Sequence, residues 1–133
     1  MKKSALFFLV IIITGAILFS CSKSIEKKIA GIWKVEDVKF DTPEPMDPSQ
    51  LEASKESAKA ISYELLKDYT AKIHAGSSVL EGNWVYKEAK SSVYMVFTGT
   101  FDTVLLGRYE GGKLINEETR PDIKITTIFV KQD

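Results

Sequence analysis

The feature that most restricts the fold of this chain is a nearly unbroken apolar run, Ala5 to Phe19, which follows two lysines at the N-terminus. The run has 15 residues, whereas a helix that spans a membrane needs roughly 20. A buried core helix is the alternative interpretation, but the run is apolar on all sides. A basic start and a short apolar core that ends in small residues are typical of a secretory signal peptide. We therefore predict that residues 1–20 form a signal peptide and take no part in the folded domain.

The end of this segment, Leu18-Phe19-Ser20-Cys21, resembles the lipobox of bacterial lipoproteins, although Phe19 is bulkier than is usual at its position. In that family a diacylglycerol is attached to the cysteine thiol, and the peptidase cuts directly before it. Cys21 is the only cysteine of the chain, and lipidation would remove a lone thiol that is a liability in an oxidising compartment. The resemblance implies an envelope lipoprotein anchored in a membrane through Cys21. Ser22 after the cysteine resembles lipoproteins that are sorted to the outer membrane.

The charge of the chain argues against nucleic acid as a partner. The chain has 18 basic and 18 acidic residues, and two of the lysines lie in the signal peptide. The remainder is nearly neutral and contains no basic cluster interleaved with aromatic residues. Residues 21–30 are interpreted as the lipidated cysteine followed by a tether, in which the stretch from Ser22 to Lys28 forms a solvated spacer.

Beyond residue 30, most of the chain follows the two-residue alternation of β-strands. In the first strand, Trp33 and Val35 share one face whereas Val38 and Phe40 share the other, so the phase switches near Glu36 and predicts a bulge. From Thr70 to the end, short apolar or alternating runs are separated by turn signals at intervals of roughly ten residues. This pattern predicts a β-sandwich or a β-barrel joined by hairpins. The later strands are predicted at Ala71–His74, Val79–Tyr86, Ser92–Thr98, Thr100–Tyr109, Lys113–Glu117 and Ile123–Val130.

A single amphipathic helix is predicted between the first two strands. Asp47 can cap it and Pro48 suits its first position, so the body runs from Ser49 to about Tyr69. Its apolar face contains Leu51, Ala58, Ile61, Leu65, Leu66 and Tyr69. Such a face closes the core of its own domain or docks a partner.

The opening of the first strand, Gly31-Ile32-Trp33, resembles the G-x-W start of lipocalins and of their fatty-acid-binding relatives. A second such motif, Gly82-Asn83-Trp84, opens a later strand. The resemblance implies that residues 31–133 form a mainly β, small lipocalin-like antiparallel barrel with one helix that covers its mouth. Gly31, Trp33 and Gly82 would then be structural residues, and Trp33 would plug the closed end of the barrel. Lipocalin barrels have eight strands and we count six or seven, so the barrel is expected to be open or incomplete.

Residues suited to catalysis are few. His74 is the only histidine, and in its strand it shares a face with Lys72, so we expect it to be solvated. Without a second histidine or a free cysteine we expect no metal site, no cofactor and no nucleophile with a base beside it. An enzyme is therefore not expected, and a hydrolase finds support only in the serines and carboxylates.

Residues suited to binding are more numerous, because aromatic side chains recur on the later strands. The candidate ligand-binding residues are Trp84, Tyr86, Tyr94, Phe97 and Arg108, of which Arg108 could pair with a ligand carboxylate. The alternative is a filled interior, which is usual in small barrels, with Arg108 as an exposed charge. We expect a membrane-anchored, non-enzymatic binder of a small apolar molecule. The competing hypothesis is a protein-interaction module, such as an anchored inhibitor or an accessory subunit of an envelope assembly.

Overall fold

Eight antiparallel strands close into a barrel in the computed structural model, which describes residues 25–133. The strands are β1 (Gly31–Asp41), β2 (Ile61–Leu65), β3 (Thr70–Ala75), β4 (Ser78–Lys87), β5 (Ser92–Phe97), β6 (Thr103–Glu110), β7 (Lys113–Arg120) and β8 (Ile123–Lys131). Helix α1 (Pro48–Lys59) joins β1 to β2, and a 3-10 turn (Glu88–Lys90) joins β4 to β5. The predicted lipocalin-like antiparallel barrel with one helix between its first two strands is confirmed. The predicted signal peptide and Cys21 lie outside the described residues.

The bulge predicted in β1 is confirmed. The register between β1 and β8 shifts between Val35 and Asp37, so Glu36 is the extra residue. Before the bulge Val35 pairs with Phe129, and after it Val38 pairs with Thr127. Because partners across an antiparallel ladder share a face, the bulge returns Val38 to the interior side of the barrel.

The helix is shorter than predicted, and the predicted end near Tyr69 is wrong. Asp47 caps α1 by accepting a hydrogen bond from the Ser49 amide at 3.2 Å, but the helix ends at Lys59 and Ile61 begins β2. The spacing from Ile61 to Leu65 is four residues, which fits both a helix face and every second residue of a strand. β2 is therefore the strand that the sequence-based count omitted, and it makes the barrel eight-stranded and closed.

The two ends of the barrel differ. We call the end that carries the β2–β3, β4–β5 and β6–β7 connections the closed end, and the opposite end, which carries α1 and the other three connections, the open end. The buried core occupies the half next to the closed end, where Tyr63 stacks on Phe129 with ring centroids 4.3 Å apart. The other fully or nearly buried residues of this core are Ile29, Ala30, Trp33, Leu65, Ala71, Trp84, Val93, Met95, Leu106 and Leu114.

The segment before β1 belongs to the folded domain, which differs from the tether predicted over residues 21–30. Residues 25–29 are helical, and the side chains of Ile29 and Ala30 are buried in the core. The Ile29 carbonyl accepts a hydrogen bond from Trp33 Nε1 at 2.7 Å, and the Lys28 carbonyl accepts one from Lys131 Nζ at 3.1 Å. The segment therefore covers the closed end of the barrel. None of the helices in residues 25–133 is long and apolar enough to cross a membrane.

The ladder between β6 and β7 does not extend to the open end of the closed barrel. The ladder between β6 and β7 runs over three pairs next to the closed end, from Arg108 with Ile115 to Glu110 with Lys113. Farther up, the Asn116 side-chain amide donates to the Leu105 and Leu106 carbonyls at 2.9 and 3.2 Å. A side chain thus bridges β6 and β7 where their ladder has ended.

Candidate functional site

A cavity of about 400 Å³ lies at the open end, between helix α1 and the barrel wall. Its wall is formed by two cross-strand pairs of β1 and β8, Val38 with Thr127 and Phe40 with Ile125. These pairs continue the interior face above the buried Phe129. We call this space the mouth cavity, and its helical side consists of Ala53, Ser54, Ser57 and Ala58.

The helical side of the mouth cavity leaves space because its residues are small. Positions 53, 54, 57 and 58 lie on one face of a helix, since residues three and four apart are neighbours on its surface. Alanine and serine reach only a short way toward the strands, and no residue of α1 is buried. The helix therefore roofs the cavity without filling it.

The chemistry of the mouth cavity is apolar with a few hydroxyl groups. Val38, Phe40 and Ile125 provide the apolar wall, whereas Ser54, Ser57 and Thr127 bring hydroxyl groups. None of the described residues that line it is charged. Small-molecule sites are typically about 300–1,000 Å³ in volume, with mostly apolar walls and a few polar groups that orient the ligand.

A second cavity, of about 540 Å³, lies at the rim of the open end between β4 and the β5–β6 loop. Leu80 and Phe97 form part of its wall, and Glu81 and Asp102 add two carboxylates. Beside it, Phe101 at the tip of the loop is 99% exposed. The rim therefore carries an apolar side chain with almost no contact to its own domain.

A third cavity, of about 200 Å³, lies at the closed end between the segment before β1 and the β2–β3 turn. Tyr69 forms one side of it, packs against Trp84 at 5.1 Å between ring centroids, and shares a hydrogen bond with the Glu26 carboxylate. This hydrogen bond raises the pKa of the Tyr69 hydroxyl. Tyr69 adopts a left-handed backbone conformation with φ of 70°, which is uncommon for an aromatic residue. The remaining lining residues are Lys27, Ala30 and Lys67.

Three of the five predicted ligand-binding residues face the interior. Trp84 is buried in the core at the closed end, where its Nε1 donates to the Leu66 carbonyl at 2.8 Å, and Tyr86 packs against the same core. Phe97 lines the cavity at the rim. Trp84 and Tyr86 are thus part of the filled half, and Phe97 packs against the edge of the same core.

The other two predicted residues lie on the outer face. Tyr94 alternates with the buried Val93 and Met95, and the Lys87 ammonium sits 4.7 Å above its ring. Arg108 is exposed and pairs with Glu110 at 2.9 Å. The structure therefore does not bring the five residues together in one site, and it places no arginine at the mouth cavity.

The residues that line the mouth cavity were missed because they come from opposite ends of the sequence. Val38 and Phe40 lie on the first strand, and Ile125 and Thr127 lie on the last. The alternation of Ile125, Thr127 and Phe129 was a usable signal for an interior face. The pairing of β1 with β8, which brings the four residues together, cannot be derived from local patterns.

The residues predicted to be structural occupy constrained positions. Trp33 is 1% exposed and meets Tyr109 edge to face at 6.3 Å, at the closed end of the barrel. At Gly82 a Cβ atom would lie 2.1 Å from the Val96 carbonyl oxygen, so the close approach of β5 requires glycine there. Gly31 begins β1 with φ of 149°, in the region that favours glycine.

The lone histidine and the carboxylates form no larger cluster. His74 Nε2 lies 3.2 Å from Glu64 on the outer face of β2 and β3. Within residues 25–133 no group of three or more His, Cys, Asp or Glu side chains could hold a metal ion. Burial strongly raises the pKa of Tyr63, and a hydrogen bond from the Thr70 amide lowers that of Asp68.

Comparisons with known proteins add one solved structure. No protein-family model matches this chain, and no curated protein matches it. A DUF4847 family protein from Bacteroides vulgatus ATCC 8482 superposes with a TM-score of 0.47 at 16% sequence identity. The match covers 78% of this chain and 95% of that protein.

Proposed function

We propose that this protein is a lipid-anchored envelope protein that binds a small apolar molecule in the mouth cavity, beneath helix α1. The observation that carries the proposal is the unequal filling of the barrel. The half next to the closed end is packed with large side chains such as Trp33, Trp84 and Phe129. The half next to the open end contains a cavity of about 400 Å³ with a small-residue roof.

The lining favours an uncharged ligand. A fatty acid would need a cation for its carboxylate, because an unpaired buried charge is strongly unfavourable. Arg108, the predicted partner for such a group, lies on the outer face with Glu110. The hydroxyl groups of Ser54, Ser57 and Thr127 suit a single hydroxyl or carbonyl group on an otherwise apolar molecule.

Native mass spectrometry of the protein, gently extracted from its membranes, tests this proposal. We expect a one-to-one complex with a neutral lipid-like molecule. Ala58→Trp on the cavity side of α1 should fill the space and abolish the complex. Glu56→Trp is the matched control, because Glu56 has a side chain that is 70% exposed on the same helix, and it should retain the ligand.

Three results would contradict the proposal. They are a protein that carries no small molecule, loss of the ligand in both tryptophan variants, and retention in both. Circular dichroism on each variant separates loss of the cavity from loss of the fold. A bound fatty acid would overturn the uncharged-ligand assignment alone.

A protein-interaction module is the second candidate, and the exposed Phe101 favours it. Aromatic residues such as phenylalanine are enriched at protein interfaces, and Leu80, which lines the neighbouring cavity, is 48% exposed. A protein that co-purifies with the unaltered chain but not with Phe101→Ser would support this function. Ligand binding at the mouth cavity should be unchanged in that variant, so the two functions are separable.

A further inference from the structure

The charged residues are distributed unequally between the two ends of the barrel. The closed end, taken as its connections, the terminal segments and the flanking strand residues, has seven lysines and five acidic residues. The open end, taken in the same way, has three basic and seven acidic residues. The closed-end lysines are Lys27, Lys28, Lys67, Lys87, Lys90, Lys113 and Lys131. The open-end acidic residues are Asp41, Glu44, Asp47, Glu52, Glu56, Asp102 and Asp122.

The closed end also exposes apolar side chains among its lysines. Leu66 and Tyr69, in the β2–β3 turn, are 37% and 42% exposed. Lysines beside exposed aromatic and aliphatic groups match a membrane surface, where anionic headgroups lie over an apolar layer.

The place where the described residues begin also favours the closed end as the one nearer to the proposed anchor. Glu26 touches Tyr69 in the β2–β3 turn, so the described chain begins at the closed end. Only three residues separate Cys21 from Ile25, and the four Cα–Cα steps between them can span at most about 14 Å. By comparison, β1 with its 11 residues is about 35 Å long.

We infer that the closed end rests on an anionic lipid surface and that the mouth cavity points away from the membrane that holds the anchor. The orientation rests on the proposed lipidation of Cys21. The acidic open end reinforces it, because an anionic surface repels that end. The ligand is then exchanged with the aqueous phase or with a partner, and not with the bilayer beneath the protein.

Site-specific fluorescence quenching on the full lipidated protein in vesicles tests this orientation. A single cysteine for a dye is placed at the closed end by Ala89→Cys or at the open end by Ser77→Cys. The vesicles contain a nitroxide-labelled lipid as quencher, with either phosphatidylglycerol and phosphatidylcholine or phosphatidylcholine alone. In anionic vesicles we expect strong quenching at position 89 and little at position 77.

Charge reversal provides the matched comparison. Each lysine near an anionic surface contributes a factor of about five, so the loss of both positive charges in Lys27→Glu with Lys67→Glu should lower the ratio of docked to undocked protein by at least about 25-fold. Lys55→Glu with Lys59→Glu on α1 is the control and should leave quenching at position 89 unchanged. Equal quenching at both positions, or an equal effect of both charge reversals, would overturn the orientation.

Failure of the anchor gives a different result. If Cys21 carries lipid, the parent protein without an added cysteine takes up no dye. If the parent takes up dye, the anchor proposal fails before any orientation is measured. A lipidated protein whose closed end is not quenched contradicts the orientation alone.

Discussion

At the scale of single residues, Trp33 has the most to contribute to stability. Its side chain is fully enclosed and its indole N–H is satisfied by the Ile29 carbonyl. The described residues close their own barrel, so a fragment that begins at Ser22 can be used. We expect Trp33→Ala to lower its free energy of unfolding by about 3–5 kcal/mol, as measured by denaturant unfolding.

The neighbouring Ile32 is the control for Trp33. Its side chain points outward and is 46% exposed, so Ile32→Ala should change the free energy of unfolding by less than about 1 kcal/mol. Similar losses in the two variants would mean that Trp33 does not seal the closed end.

Tyr63 should make the protein sensitive to alkaline pH. Burial raises the pKa of its hydroxyl above the usual value. Above pH about 10 the unfolded chain releases this proton while the folded protein keeps it, so stability is complete at lower pH and falls as pH rises. Tyr63→Phe should reduce the slope of unfolding free energy by about 1.4 kcal/mol per pH unit in that range. An unchanged slope in urea unfolding at pH 10–11 would contradict the prediction.

The residue types in the sequence predicted local roles better than they predicted which side chains of a strand point into the barrel. The G-x-W motif and the cap at Asp47 depend on near neighbours, so they could be found from sequence. Whether Tyr94 or Phe97 faces inward depends on which strand pairs beside it and in which register. A strand that is apolar on both faces, such as β5, does not contain that information.

At the scale of elements, helix α1 is held less firmly than the strands. It buries no side chain, so its opening exposes little apolar surface. We expect the amides of α1 to exchange hydrogen at least about tenfold faster than those of β1 and β8 in the unliganded protein, as measured by mass spectrometry. Added ligand should slow exchange in α1, because the proposed site places the ligand against the small-residue face of the helix.

The cap at Asp47 is the control for this experiment. Asp47→Ala removes a side-chain acceptor at the N-terminus of the helix, at a cost of about 1 kcal/mol. Exchange in α1 should therefore accelerate several-fold while exchange in the strands is unchanged. Equal protection of α1 and the strands would show that the roof does not open separately from the barrel.

The same elements show where sequence patterns mislead. The apolar residues Ile61 and Leu65 extend the helix pattern of residues 49–58, yet they begin the strand that completes the barrel. Long-range pairing favoured a strand over a helix for these residues, because Tyr63 and Leu65 become buried only when β2 lies between β1 and β3.

At the scale of the whole molecule, the proposed anchor predicts where the protein is found. Cys21→Ser removes the acceptor for lipid, so the variant should keep its signal peptide and no membrane lipoprotein should be formed. Labelled precursor and fractionated cells measure both effects. Ser20→Ala keeps a small residue before the cysteine and should be processed normally. A Cys21→Ser protein that is still cut and still sediments with membranes would exclude lipidation as the anchor.

The barrel architecture could be predicted from the sequence, but the mouth cavity could not. Strand-length runs, turn signals and the G-x-W motif predicted a barrel with one helix. The bulge at Glu36 had a local signal, but the cavity also depends on the closure of β1 on β8 and on the packing of α1 across these two strands. Neither of these leaves a local pattern in the sequence.

The short ladder between β6 and β7 affects how the barrel can widen. Most closed barrels must break ladder hydrogen bonds to widen, and each break exposes unpaired backbone groups. Here the two strands are joined beyond the end of their ladder by the Asn116 amide, which donates to the Leu105 and Leu106 carbonyls; the bond to Leu105 is exposed to solvent. The circumference of the barrel can therefore grow at this seam while every ladder stays intact. We expect any widening of the barrel to begin at this seam and not at the longer ladders.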